Sequence, residues 1–142
     1  MYEKLGYKTE FFLNRYTAKL TEKTCNAVIK NGNYKNDYTD FSKKHDSIIL
    51  MSDEDIDTTL NYTKYVKVNG SGFLYEESEN EVYIRECFLQ KKEDLDDFLA
   101  FLSKKYQKAH ITEPFGNTPY AMIKPYGNFS FNSKAYTNMN FD

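Results

Sequence analysis

The chain is 142 residues long, and its 19 basic and 21 acidic side chains leave a formal net charge of −2. That balance gives no basic face for displacing counterions from a nucleic acid, no run reaches the roughly 20 apolar residues of a membrane span, and the start does not read as a secretory leader. Aromatic residues are 17% of the chain, 13 Tyr and 11 Phe, so rings must build much of the core of what this length makes a single domain.

Tyr2-Glu3-Lys4-Leu5 tolerates helix, and Gly6 suits the end of one because it accepts positive φ without a Cβ clash. Residues 8–20 read as extended, with Phe11, Phe12, Leu13 and Tyr16 needing cover from another chain or a berth along a sheet edge. Residues 21–30 fit either a short helix or a strand, and Asn31-Gly32-Asn33 breaks whatever precedes it. A short helix is expected within 34–46. The run Ile48-Ile49-Leu50-Met51 is of buried-strand type, and Ser52 followed by Asp53, Glu54 and Asp55 starts a helix that runs to about Asn61. Residues 65–68 and 73–76 are strands flanking the turn Asn69-Gly70-Ser71-Gly72, and 77–80 is a second turn.

Residues 81–89 form the clearest strand, with Val82, Ile84, Glu86 and Phe88 on one face and Tyr83, Arg85, Cys87 and Leu89 on the other. The clearest helix is 93–107, where Leu95, Phe98, Leu99, Leu102 and Tyr106 make one apolar stripe, acids fill the first turn and lysines the last. Strands at 109–112 and 120–124 complete an α+β pattern, an antiparallel meander leading into strand–helix–strand.

The opening run Tyr2-Glu3-Lys4-Leu5-Gly6-Tyr7 resembles the end of the last conserved motif of GNAT-superfamily N-acetyltransferases, in which a helix carrying the Tyr gives way at the Gly to a strand opened by the aromatic residue. The element order over residues 64–122 is similar to a second, degenerate copy of the same GNAT-like fold. The resemblance implies that residues 1–20 end an upstream acetyltransferase motif and that residues 21–142 are a single α+β domain, the C-terminal region of an enzyme transferring acetyl from acetyl-CoA to an amine. Tyr2 would then be the general acid that protonates the departing coenzyme A thiolate. Acetyl-CoA would bind the missing upstream part, and none is expected on this chain alone, which by itself would be inactive.

In working members of that family, a glycine-rich loop between the clearest strand and the following helix cradles the coenzyme pyrophosphate on backbone N–H groups. Here the residues are Gln90-Lys91-Lys92-Glu93-Asp94-Leu95-Asp96-Asp97, with no glycine and four carboxylates. An acidic helix start stabilising itself is the simpler reading. His45 and His110 have no metal-ligand companion at useful spacing, so no metal is expected, and His110 reads as packed in a strand. Cys25 and Cys87 lack CxxC spacing and read as reduced thiols of a cytoplasmic protein. Glu86, a carboxylate on an apolar strand face, needs a partner such as a Tyr hydroxyl or marks a site. With Tyr120 it is the candidate for substrate binding, the substrate being a small amine or a peptide terminus. The alternative is a non-enzymatic protein-binding or oligomerisation module using Tyr- and Phe-rich surface, with a second copy or the upstream domain as partner.

Overall fold

The computed structural model describes residues 2–45, 50–114 and 116–124. A short 3-10 turn, Tyr2–Leu5, ends at Gly6 with φ +87°, and the chain then enters β1 (Lys8–Lys19). After an irregular stretch come β2 (Ile29–Asn31) and α1 (Tyr34–Lys43), whose first turn is capped by Asn33 accepting the Asn36 amide at 3.0 Å. Next is α2 (Asp53–Leu60), opened by a capping box between Ser52 and Asp55. The meander β3 (Lys64–Val68), β4 (Ser71–Ser78) and β5 (Glu81–Phe88) follows, then α3 (Glu93–Leu102), β6 (Lys108–Pro114) and β7 (Thr118–Ile123).

The strands form one seven-stranded sheet in the order β2-β3-β4-β5-β6-β1-β7, antiparallel throughout except for the parallel pair β5–β6 that α3 connects. The β3–β4 hairpin turns on two residues, Asn69 (φ 52°) and Gly70 (φ 98°), so Ser71 and Gly72, expected in the turn, belong to β4. On one face of the sheet, Phe98, Leu95 and Leu102 of α3 pack on Phe73, Val82, Ile84, Cys87, Ala109 and Ile111. On the other, Tyr34 and Tyr38 of α1 and Ile56 of α2 cover Leu74 and Phe88.

β1 does not dock along an edge. It lies inside the sheet, with its second half paired to β6 (Leu13↔Pro114 to Lys19↔Lys108) and its first half to β7 (Lys8↔Ile123 to Leu13↔Thr118). Phe11 and Leu13 are buried there, while Tyr16 stays 40% exposed. The chain passes from one side of β1 to the other at Gly116, where a Cβ would stand 2.1 Å from the Asn14 nitrogen and 2.2 Å from the Leu13 carbonyl carbon and oxygen. Only glycine allows one backbone to cross another so closely.

Three local expectations are corrected. The apolar run at 48–51 lies partly outside the described residues; of the two described, Leu50 is exposed and Met51 half-buried, its amide donating to the Tyr38 hydroxyl at 3.0 Å. α3 stops at Leu102 instead of 107, so the lysines beyond it are not in its last turn. The chain must turn there, since the Gln107 amide donates to the Asn80 carbonyl as β6 begins, and Tyr106 reaches the core from that turn. In β5 the alternation breaks, because Tyr75 pairs with Ile84 while Leu74 pairs with Glu86, leaving Arg85 as a bulge. Val82, Ile84 and Cys87 therefore face α3, and Glu86 and Phe88 face α1.

Candidate functional site

The bulge opens a fork in the sheet. β5 and β6 pair over only four rungs, Glu81↔Lys108 to Ile84↔Ile111. Beyond them β5 continues along β4 to Phe88, while β6 continues along β1 to Pro114. The Cys87 thiol reaches across the start of the fork to the Thr112 carbonyl, Sγ to O 3.6 Å, and burial pushes that thiol's pKa well up, so it stays protonated and donates. Parallel strands that part company leave a crevice at their carboxyl ends, a favoured place for ligands in mixed sheets.

At the root of the fork lies a cavity of about 410 Å³ lined by residues 15–17 of β1, 83–85 of β5 and 110–112 of β6; Ile84 and Ile111 turn their side chains into the α3 core, and the alternate residues Arg15, Thr17, Tyr83, Arg85, His110 and Thr112 belong to the opposite face. Their alignment follows from register, with Thr112 opposite Arg15, His110 opposite Thr17, and Tyr83 opposite His110. The His110 ring stacks on Tyr83 at 4.5 Å with planes 10° apart. Its Nδ1 lies 3.1 Å from the Thr17 hydroxyl and its Nε2 2.8 Å from the Glu81 carboxylate. A neutral ring held this way donates Nε2–H to Glu81 and accepts the Thr17 hydroxyl proton at Nδ1. Glu81 also pairs with Lys108, and the hydrogen bonds it accepts, from Lys108 first and then from His110, hold its carboxyl down to about 2. Arg85 places Nε (3.2 Å) and Nη2 (2.8 Å) on one oxygen of Glu76. Arg15 lies 5.4 Å over the Tyr120 ring and has no ion pair among the described residues.

Glu86 sits on the same face beyond the bulge, 1% exposed, and accepts the Tyr34 hydroxyl at 2.6 Å. Tyr34 is itself stacked on Phe88 and meets Tyr65 edge-on. The Tyr65 hydroxyl donates to Asp37 at 2.8 Å, and burial first, then Asp37, pushes its pKa well above the usual phenol value. The buried carboxylate thus has the tyrosine partner its position demands. Tyr120, half-buried in β7, reaches the cavity's rim through Arg15. Tyr2 is 62% exposed and lies edge-on to Tyr7 at 5.8 Å. It precedes Lys8, which is eight strand positions from Tyr16, roughly 26 Å at about 3.3 Å per residue, and Tyr16 pairs with Ile111 at the root of the fork. The structure therefore brings Tyr120 near the cavity and Glu86 to its far side across the bulge, and leaves Tyr2 at a distance. Sequence reasoning missed Arg15, Thr17 and His110 as a group; the signal was alternation of polar and apolar residues on each strand, which names a shared face only once register is known.

The entry to α3 was the expected place of a pyrophosphate loop, and its residues do not fit that group. Asp94, 3% exposed, accepts the Ser71 hydroxyl at 2.5 Å and the Lys91 amide at 3.3 Å. Ser71 in turn accepts the Gln90 amide at 2.7 Å, and Asn69 donates to Asp97 at 2.9 Å. The amides that would meet a phosphate are turned onto the chain's own carboxylate and hydroxyl. Among the described residues no group of three or more His, Cys, Asp or Glu is placed to hold a metal ion, and no helix is long and apolar enough to cross a membrane.

No family model and no curated protein matches the chain. Solved structures do. A GCN5-related N-acetyltransferase from Kribbella flavida superposes with a TM-score of 0.56 at 10% identity, covering 82% of this chain and 34% of that one. A conserved protein of unknown function from Enterococcus faecalis V583, described as a probable N-acyltransferase, superposes with a TM-score of 0.58 at 18% identity, covering 88% of this chain and 41% of that one. The chain has the fold of GNAT-like acetyltransferases and spans 34% and 41% of the length of these two neighbours.

Proposed function

We propose that these residues are the C-terminal portion of a GNAT-like N-acetyltransferase and form its acceptor side, while acetyl-CoA is held elsewhere in the complete enzyme. The observation that carries this reading is the forked β5–β6 pair with a polar, aromatic cavity at its root, in a fold shared with N-acetyltransferases, combined with an α3 entry unsuited to a pyrophosphate. The cavity has room for a small amine or a peptide terminus. His110, held by Glu81 through Nε2, offers Nδ1 as the nitrogen that takes up a proton there once the Thr17 hydroxyl turns its hydrogen away. Tyr2 keeps its role as general acid only where another part of the enzyme brings the thiolate to that end of the sheet.

The test is acetyl transfer, followed as thiol release, by the longest natural product that contains these residues, against a panel of small amines and peptide termini. Transfer by that product, none by the 142 residues alone, and loss on Tyr2→Phe support the whole reading. Transfer that survives Tyr2→Phe removes the general acid alone. No transfer with any acceptor leaves the protein-binding module, which the exposed Leu50 (65%), Leu60 (37%) and Tyr62 (51%) around α2 favour.

A further inference from the structure

The charges around the fork cavity are unevenly matched. Glu76 is taken by Arg85, and Glu81 is shared between Lys108 and His110, so both carboxylates already have cationic partners. Arg15 is the cation left over: it lines the cavity, and its contact with the Tyr120 ring leaves its charge unneutralised. A guanidinium resting on a ring keeps its N–H edge free for a second partner, and its fork geometry matches carboxylate and phosphate oxygens. Thr112 stands across the rung from Arg15, and Thr17 lies two residues along β1 on the same face, so hydroxyl groups flank the guanidinium. Beside them the stacked Tyr83–His110 pair offers a flat wall, and the volume suits a molecule of amino-acid to dipeptide size.

We infer that this cavity binds a small amine that also carries an anionic group, carboxylate or phosphonate-like, with Arg15 as the anchor for that group. The inference rests on the acceptor-side reading above and narrows it, since a simple uncharged-tail amine would leave Arg15 unused. The anion engages the Arg15 N–H edge and the Thr112 hydroxyl, while the amine end extends toward His110.

The experiment is an NMR titration of the 142-residue chain with three probes of matched size: glycine, glycinamide and aminomethylphosphonate. Glycine and the phosphonate are expected to shift the amides of Arg15, Thr17, His110 and Thr112, with the stronger of the two identifying the anion. Glycinamide is expected to need at least about tenfold higher concentration, as is glycine with Arg15→Gln, given that an ionic hydrogen-bonded pair is about twice as strong as a neutral one. Arg15→Lys should recover part of the affinity by keeping the charge. Because Arg15 is exposed, the amide spectrum of each variant away from the cavity reports that the fold is kept. Equal binding of glycinamide, or undiminished binding by a folded Arg15→Gln, overturns the inference. The two levels separate cleanly: acetylation of neutral amines regardless of Arg15 sinks the anion site and keeps the enzyme reading. Arg15-dependent glycine binding without any acetyl transfer does the reverse.

Discussion

Phe98→Ala removes the ring at the centre of the larger core. Phe98 is fully buried, stacked on Phe73 at 4.5 Å with planes 25° apart, and edge-on to Tyr75 at 5.4 Å. A Phe to Ala truncation in a core costs about 3–5 kcal/mol, and each ring contact adds about 0.5–1.5 kcal/mol beyond area burial, which places this one in the upper part of that range. With a urea slope of about 2 kcal/mol per molar, the unfolding midpoint should fall by roughly 2 M. The neighbouring Leu99 belongs to the same sequence stripe, but the structure leaves it half-buried, so Leu99→Ala should cost only about 1–2 kcal/mol, below the 2–5 of a fully enclosed leucine. Urea melts of the two variants give the ratio directly. Equal losses, or a larger loss at Leu99, would mean that α3 is turned by about one residue, roughly 100°, and that the core is misassigned.

Tyr34→Phe removes the hydroxyl that donates to the Glu86 carboxylate and should destabilise by about 1–3 kcal/mol, less when combined with Glu86→Gln; strictly additive losses would refute the coupling. Gly116→Ala drives a methyl into the backbone of β1 and should speed hydrogen exchange in both 8–13 and 118–123, while unchanged protection would show that the crossing yields easily. Glu77 is held down to about 2, chiefly by Lys64 and then by Tyr106 and Lys105, so its stabilising effect is complete above the unfolded carboxyl value near ~4.3 and disappears as pH falls toward 2. Glu77→Gln should flatten the melting temperature over that window, and parallel wild-type and variant curves would count against it. Calorimetry with acetyl-CoA should show no binding to the 142 residues, and micromolar affinity would refute the account of the α3 entry.

What could be read from residue order alone was local. Ser52 with Asp55 announces its helix, Asn69-Gly70 its hairpin, and the 81–88 run its strand, because each signal is contained within a few residues. The bulge at Arg85 is different, since it is a mismatch between β5 and β4 and exists only in their pairing; missing it reversed the faces of Glu86 and Cys87. The cavity was illegible for the same reason. His110 reads as a packed strand residue until β1 brings Thr17 beside it from 93 positions away. Glu86 was legible as a carboxylate in need of a partner, and which of the many tyrosines would answer required α1 to be folded over the sheet.

The position of β1 sets an order of events. It precedes the other six strands in chain order, yet Asn14 meets Glu113 across 99 positions, and both flanks of β1 come from residues 108–123. The hairpins of β3, β4 and β5 close locally, whereas the loop that seats β1 is nearly as long as the domain and its closure is correspondingly slow. Until then Phe11 and Leu13 have no berth and β6 and β7 each show an open edge, so the chain is most prone to wrong pairing before β1 is seated. A slot closed last is also one that an identical strand from another molecule can enter, which makes a peptide of residues 8–19, added during refolding, a competitor for the chain's own first strand.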